Sequence, residues 1–172
     1  NLMVDFTIAA VRTLLSANPQ ARFLVEHPED LGKRARGDPG SIWRWPEVRA
    51  LERLGQTCTG AARHADWGSD ILKPTRFVTN MQELRPDLHL GWPSFDEQGH
   101  YLGPLGHEPH AGKNLQGRTD GIFVTSTAAA WLKALNKKVA LIYHDWIQRR
   151  TAKDKALIAK ISFRESIIVI KS

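Results

Sequence analysis

The pattern that most restricts this chain is an amphipathic helix running directly into a short buried strand. Val4, Ile8, Val11, Leu14 and Leu15 recur at helical spacing over 4–17. Asn18-Pro19 ends the pattern, because the residue before a proline disfavours the helical region. The apolar run Arg22-Phe23-Leu24-Val25-Glu26 follows and stops at His27-Pro28, which predicts a buried strand with a carboxylate at its C-terminal end. Helix then buried strand is the rhythm of an α/β sheet. At 172 residues the chain has room for one domain with a tail, and its 42% hydrophobic and 24% charged residues exclude a disordered or low-complexity polymer.

The rest of the chain extends the α/β reading. Residues 29–41 are charged and glycine-rich, a loop, after which Trp43, Val48, Leu51 and Leu54 fit a short helix started near Ser41 and stopped by Gly55. Two strands are expected next, Thr57 to Trp67 and Thr75 to Asn80, joined through Gly68-Ser69-Asp70 and Lys73-Pro74. The character changes over 86–121, which holds seven of the 13 glycines, four of the nine prolines and four of the seven histidines. A structureless stretch of that length inside a domain is unusual unless it binds something, so it reads as an inserted recognition or metal loop. Thr125-Ser126 then caps a long helix with Trp131, Leu135, Val139, Ile142 and Trp146 on one stripe and basic residues opposite. The expected organisation is an α/β domain over 1–150 with its insertion at 86–121, and a basic link with a C-terminal strand or tail over 151–172.

Charge is unevenly placed. The net charge is +6, yet from Lys133 onward ten basic residues face three acidic ones, leaving the first 132 residues at −1. Such a field attracts a polyanion, and nucleic acid, DNA before RNA, is the expected partner through Lys137, Lys138, Arg149 and Arg150. A solvated basic helix face is the plainer alternative. No apolar run approaches the roughly 18–20 residues a bilayer span needs, and no basic region precedes the first apolar residues. The expectation is an intracellular protein without a membrane partner, nuclear if the source is eukaryotic. The one cysteine, Cys58, can form no internal disulfide.

Three features could carry chemistry. In open α/β sheets the ligand crevice lies at the carboxyl ends of strands, where Glu26 sits; a fixed Glu there could hydrogen-bond the polar edge of a base or act as a general acid. Its plain alternative is an exposed carboxylate that caps the next turn with Glu29 and Asp30. His100, His107 and His110, with Cys58, His64 or His89, could assemble a zinc site, but His-x-x-His without a paired Cys-x-x-Cys reads first as exposed loop histidines, and no metal ligand is assigned. Trp92, in Gly91-Trp92-Pro93, is either a base-stacking platform or a core anchor.

Taken together, RFLV followed by Glu26-His27-Pro28, the block ADWGSDILKPTRFVTN (Ala65–Asn80), the glycine/histidine-rich segment and TSTAAAWLKALNKKVA (Thr125–Ala140) resemble the C-terminal half of cytosine-5 DNA methyltransferases. The likeness is to phage-type enzymes and to methyltransferase-like domains of mobile-element proteins, and it spans roughly Leu14 to Ala140 in the family's order. It implies a partial Rossmann-like methyltransferase sheet with flanking helices. Carried over residue by residue, it makes Glu26 the glutamate that holds a flipped cytosine. It also puts Thr125, Ser126 and Ala128 near the methionine end of an S-adenosylmethionine pocket, and points Lys73, Thr75 and Arg76 toward nucleic acid.

The departures are as informative. His27 stands where the family has Asn, and neither the Phe-x-Gly-x-Gly cofactor loop nor a Pro-Cys nucleophile precedes Glu26. Cys58 lies after Glu26 behind Thr57, not Pro, and reads as a small buried side chain. The expectation is therefore a fragment, a subunit lacking its first half or a degenerate domain: it binds nucleic acid, with S-adenosylmethionine and a complementary chain or upstream domain as further candidate partners, and does not methylate alone. The reading from another class is a non-enzymatic nucleic-acid-docking or structural module of a larger polyprotein or complex.

Overall fold

The computed structural model describes residues 2–33, 37–69, 71–106, 118–119, 122–123, 133–149 and 169–170. Helix α1 (Leu2–Ala17) buries Thr7, Ile8 and Val11 and ends at Asn18, whose carbonyl then accepts the Ala21 N–H. Strand β1 (Leu24–Pro28) follows. The helix expected around Trp43 is broken into a staircase: a 3₁₀ turn Ile42–Arg44 capped by the Ser41 hydroxyl, α2 (Pro46–Ala50) and a second 3₁₀ turn Leu51–Arg53. Pro46 lacks the N–H that would continue the first turn and opens the second, which is why the helix is not continuous.

Strand β2 (Cys58–Arg63) is shorter than expected, because Asp66 accepts the Arg63 N–H at 2.7 Å and winds His64–Trp67 into a 3₁₀ turn closed by Gly68 in the left-handed region. Strand β3 (Pro74–Thr79) returns beside it. The stretch expected as one insertion is largely structured as far as Gly106. It holds a 3₁₀ turn Gln82–Asp87, β4 (His89–Leu90), and a hairpin of β5 (Ser94–Phe95) and β6 (Tyr101–Gly103). A two-residue pair, β7 (Arg118–Thr119) with β8 (Ile122–Phe123), lies further on. Helix α3 (Lys133–Gln148) and β9 (Val169–Ile170) complete the described elements.

The main sheet has the order β4-β2-β3-β1-β9. Pairing is antiparallel for β2 with β4, β2 with β3, and β1 with β3; only β1 with β9 is parallel. The protein is thus mixed α/β, but among the described residues the sheet is mainly antiparallel and not the parallel, doubly wound arrangement expected. The cause is the short connection from Arg63 to Pro74. A parallel return would need a crossover of a dozen or more residues, so β3 folds back along β2 and inserts between β2 and β1.

The period of two along the strands distributes side chains to two cores. Leu24 and Phe77 join Leu135, Val139 and Ile142 of α3 on one face. Val25 and Val78 join Ile8 and Val11 of α1, Trp43, Val48 and Leu51 on the other. A sheet buried on both faces explains why β1 reads as a continuous apolar run. The helical stripe expected from Leu135 to Trp146 is buried as read, with Tyr143 added to it; Trp131 lies outside the described residues.

Candidate functional site at the carboxyl end of β1

The antiparallel register fixes what surrounds Glu26. His27 pairs with Arg76 and Pro28 with Thr75, so the end of β1 lies against the start of β3. Lys73, just before β3, is carried to Glu26, its Nζ 3.5 Å from Glu26 Oε1. Glu26 is 5% exposed, so the alternative of a solvent-exposed capping carboxylate does not hold. The neighbouring His27 is half-buried, its ring edge-on to Trp43 at 5.9 Å, and burial together with Lys73 lowers its pKa despite its contact with the Pro28 carbonyl.

Behind Glu26 lies a fully buried ion pair. Arg76 donates from Nε to Glu29 Oε1 at 3.0 Å and from Nη2 to Oε2 at 2.7 Å; both side chains are 0% exposed. Its Nη1 donates to Thr59 Oγ1 and to the Gly91 carbonyl, closing the guanidinium's valence inward. Burial raises the Glu29 pKa against the pull of Arg76. The next carboxylate, Asp30, accepts from Arg44 Nε at 2.6 Å and from the Gly32 N–H at 3.0 Å. Burial would raise its pKa, but these bonds outweigh that and hold it low. Arg44 also pairs with Asp38, which ties the loop after β1 to the first 3₁₀ turn.

That loop is pinned from the other side by the β5–β6 hairpin. Gly32 bridges to His100 with φ +67, and a Cβ there would lie 2.5 Å from the Gly99 carbonyl oxygen, so only glycine fits. Arg63, at the end of β2, donates to the Leu105 carbonyl at 2.5 Å. Segment 86–106, expected as an inserted recognition or metal loop, therefore packs against this sheet end as far as Gly106.

Several expected site residues take other roles. Thr75 and Arg76, expected to face nucleic acid, are 1% and 0% exposed; Arg76 cannot reach a phosphate while its guanidinium is held by Glu29 and Thr59. Lys73 keeps a partly exposed side chain beside Glu26. On α3, Lys137 and Arg149 are exposed, whereas Lys138 turns back to pair with Asp87 and lies 5.9 Å from the Trp67 ring centroid. Thr125, Ser126, Ala128 and Arg150 lie outside the described residues.

Trp92 is partly buried and packs against the core that holds Val25 and Val78. Its Nε1 donates to Glu52 at 2.5 Å, and the guanidiniums of Arg49 and Arg76 lie 4.6 and 5.7 Å from its ring centroid. Cys58 is buried, and burial raises its thiol pKa, the opposite of what a nucleophile needs. Of the candidate zinc ligands, His107 and His110 lie outside the described residues, and His100 is bonded to Asp96. Among the described residues no three His, Cys, Asp or Glu side chains gather as a metal site. No described helix is long and apolar enough to cross a membrane.

Sequence reasoning missed Glu29 and Asp30 as buried charges. The available signal was their position, one and two residues beyond the end of β1, followed by a glycine that only a constrained turn requires. Comparison with family profiles, characterised proteins and solved structures finds no match to this chain.

Proposed function

We propose that this chain is a partial cytosine-5 DNA methyltransferase-like domain that recognises nucleic acid at the carboxyl end of β1 and does not transfer a methyl group by itself. The observation that carries the reading is the meeting of Glu26 with Lys73: the Glu-His-Pro and Lys-Pro-Thr segments, 47 residues apart in sequence, form one sheet end with the two side chains 3.5 Å apart. A carboxylate fixed on a strand can accept from the exocyclic amine on a cytosine's pairing edge, and the ammonium beside it suits a backbone phosphate. In this reading the antiparallel strands belong to a larger Rossmann-like sheet, with further strands supplied by a complementary chain or domain.

The cofactor enters only by resemblance. The residues that would hold S-adenosylmethionine, Thr125, Ser126 and Ala128, lie outside the described residues. The reading is one of base and backbone recognition. A docking or structural module, without base recognition, is favoured by the inward use of Arg76 and the cover over Glu26.

The test is a fluorescence titration of two labelled single strands at moderate salt, one carrying a central cytosine and one with thymine in its place. Recognition by Glu26 predicts tighter binding of the cytosine strand, lost on Glu26→Gln by about tenfold, the worth of one hydrogen bond to a charged group. Equal affinity for both strands, unchanged in a folded Glu26→Gln variant, would leave only the docking module.

A further inference from the structure

The opposite end of the sheet carries a second site. Where β1 begins and β3 ends, an open cleft of about 700 Å³ lies between the C-terminal half of α1 and the turn after the second 3₁₀ segment. Its volume falls in the range of small-molecule sites. Leu15, Pro19 and Leu54 give it apolar walls, and Arg12 and Arg22 are its charges; no carboxylate is among the described residues that line it.

The cations are held differently. Asn80 spends its side chain on the backbone, accepting from the Phe23 N–H at 2.9 Å and donating to the Ala21 carbonyl at 2.7 Å. Its own carbonyl accepts from Arg22 Nη1 at 2.8 Å, so Arg22 is fixed in place. The remaining Arg22 contact, to Glu83, is long at 3.4 Å, with the two side chains 21% and 38% exposed. Arg12 is exposed and has no carboxylate partner among the described residues. The far wall is formed by Gly55 and Gln56, both with positive φ, +34 and +47. A left-handed Gln is a strained choice. Gln82 holds it by donating to the Gln56 carbonyl, and Gln56 lines the cleft.

We infer that this cleft binds a small organic anion, a flat or aliphatic body carrying one phosphate or carboxylate, with the oxyanion between Arg12 and Arg22 and the body against Leu15 and Leu54. Binding exchanges the long Arg22–Glu83 contact for a shorter charge-assisted one. Neutralising Glu83 strengthens binding, and neutralising Arg12 weakens it; the need for an organic body against Leu15 and Leu54 separates the site from a general affinity for anions.

The experiment is NMR titration of this chain with adenosine 5′-monophosphate, adenosine, inorganic phosphate and benzoate. Expected are shifts at Leu54–Gln56 with the monophosphate and weak effects with adenosine or phosphate alone. Affinity should fall about tenfold in Arg12→Gln and rise in Glu83→Gln. Benzoate acting in the monophosphate's stead, with the same responses, assigns the site to carboxylates. The inference is overturned if neither organic anion shifts these residues, if folded Arg12→Gln and Glu83→Gln bind like the parent chain, or if the shifts fall on α3 alone. Arg12 is exposed, so its substitution tests the site without disturbing the core.

Discussion

Arg76 and the exposed cations of α3 make opposite use of the same charge. Arg76, in the middle of the sheet, has all its bonds directed to Glu29, Thr59 and Gly91 and no contact with water. Lys137 and Arg149 stand on the outer face of a helix whose inner face is buried. A positive charge count says nothing about which of these a residue will be. Position within the period decides it: a cation on a strand buried on both faces must be paired, while one on the outer face of an amphipathic helix stays in water.

Breaking the buried set should have the largest effect. Arg76→Gln leaves Glu29 as an uncompensated buried carboxylate, and removal of one partner from such a pair costs about 3–5 kcal/mol. Urea unfolding should show that loss or failure to fold; a loss below about 1 kcal/mol would mean that water reaches the pair. Replacing both partners by apolar residues of similar size, Arg76→Met with Glu29→Leu, should recover much of the stability, because no charge is then stranded. Next in size is the inner face of α3. Ile142→Ala removes side-chain volume from the core shared with Leu24 and Phe77, at about 2–5 kcal/mol.

The contrast also explains how much of the molecule was legible. The stripe from Leu135 to Trp146 and the run from Phe23 to Val25 announce themselves, because burial of one helix face or of a whole strand imposes a period on apolar residues. The strand directions carry no such signal. Nothing in Pro74–Thr79 says that it will lie between β1 and β2; only the short connection behind it does. At the site, Glu26 was legible from its place at a strand end and Lys73 from the turn before β3. Arg76 departs from its expected role because both faces of β3 are covered: its neighbours Thr75, Phe77 and Val78 are all buried, which leaves no exposed face for position 76. The zinc and cofactor expectations rest on His107, His110 and the segment from Thr125, which lie outside the described residues.

A pH profile sharpens the difference between a buried and an exposed carboxylate. Asp30 is depressed in the folded state by Arg44 and the Gly32 N–H, and returns to about 3.9 on unfolding. A depressed folded pKa contributes stability that is present above the unfolded value and is lost as pH falls through the folded one. The urea midpoint should therefore drop as pH falls below about 4, and Asp30→Asn should flatten that limb. An unchanged acid limb in the variant would assign the loss to other carboxylates.

The smallest effect on stability should come from the outer face of α3, where it separates the two uses of charge most clearly. Lys137→Gln with Arg149→Gln touches no buried group, so the urea midpoint should move by no more than the ~0.5 kcal/mol typical of surface changes. If this face meets duplex DNA, the same double substitution removes two phosphate contacts. The slope of log affinity against log salt should then fall by about 1.8, since each neutralised phosphate contributes about 0.9. Lys138→Gln should do less to that slope, because its ammonium already pairs with Asp87. An equal fall for Lys138 would mean that DNA draws it off Asp87. An unaltered slope in the double variant would remove α3 from the interface and leave the sheet end at Glu26 as the contact face.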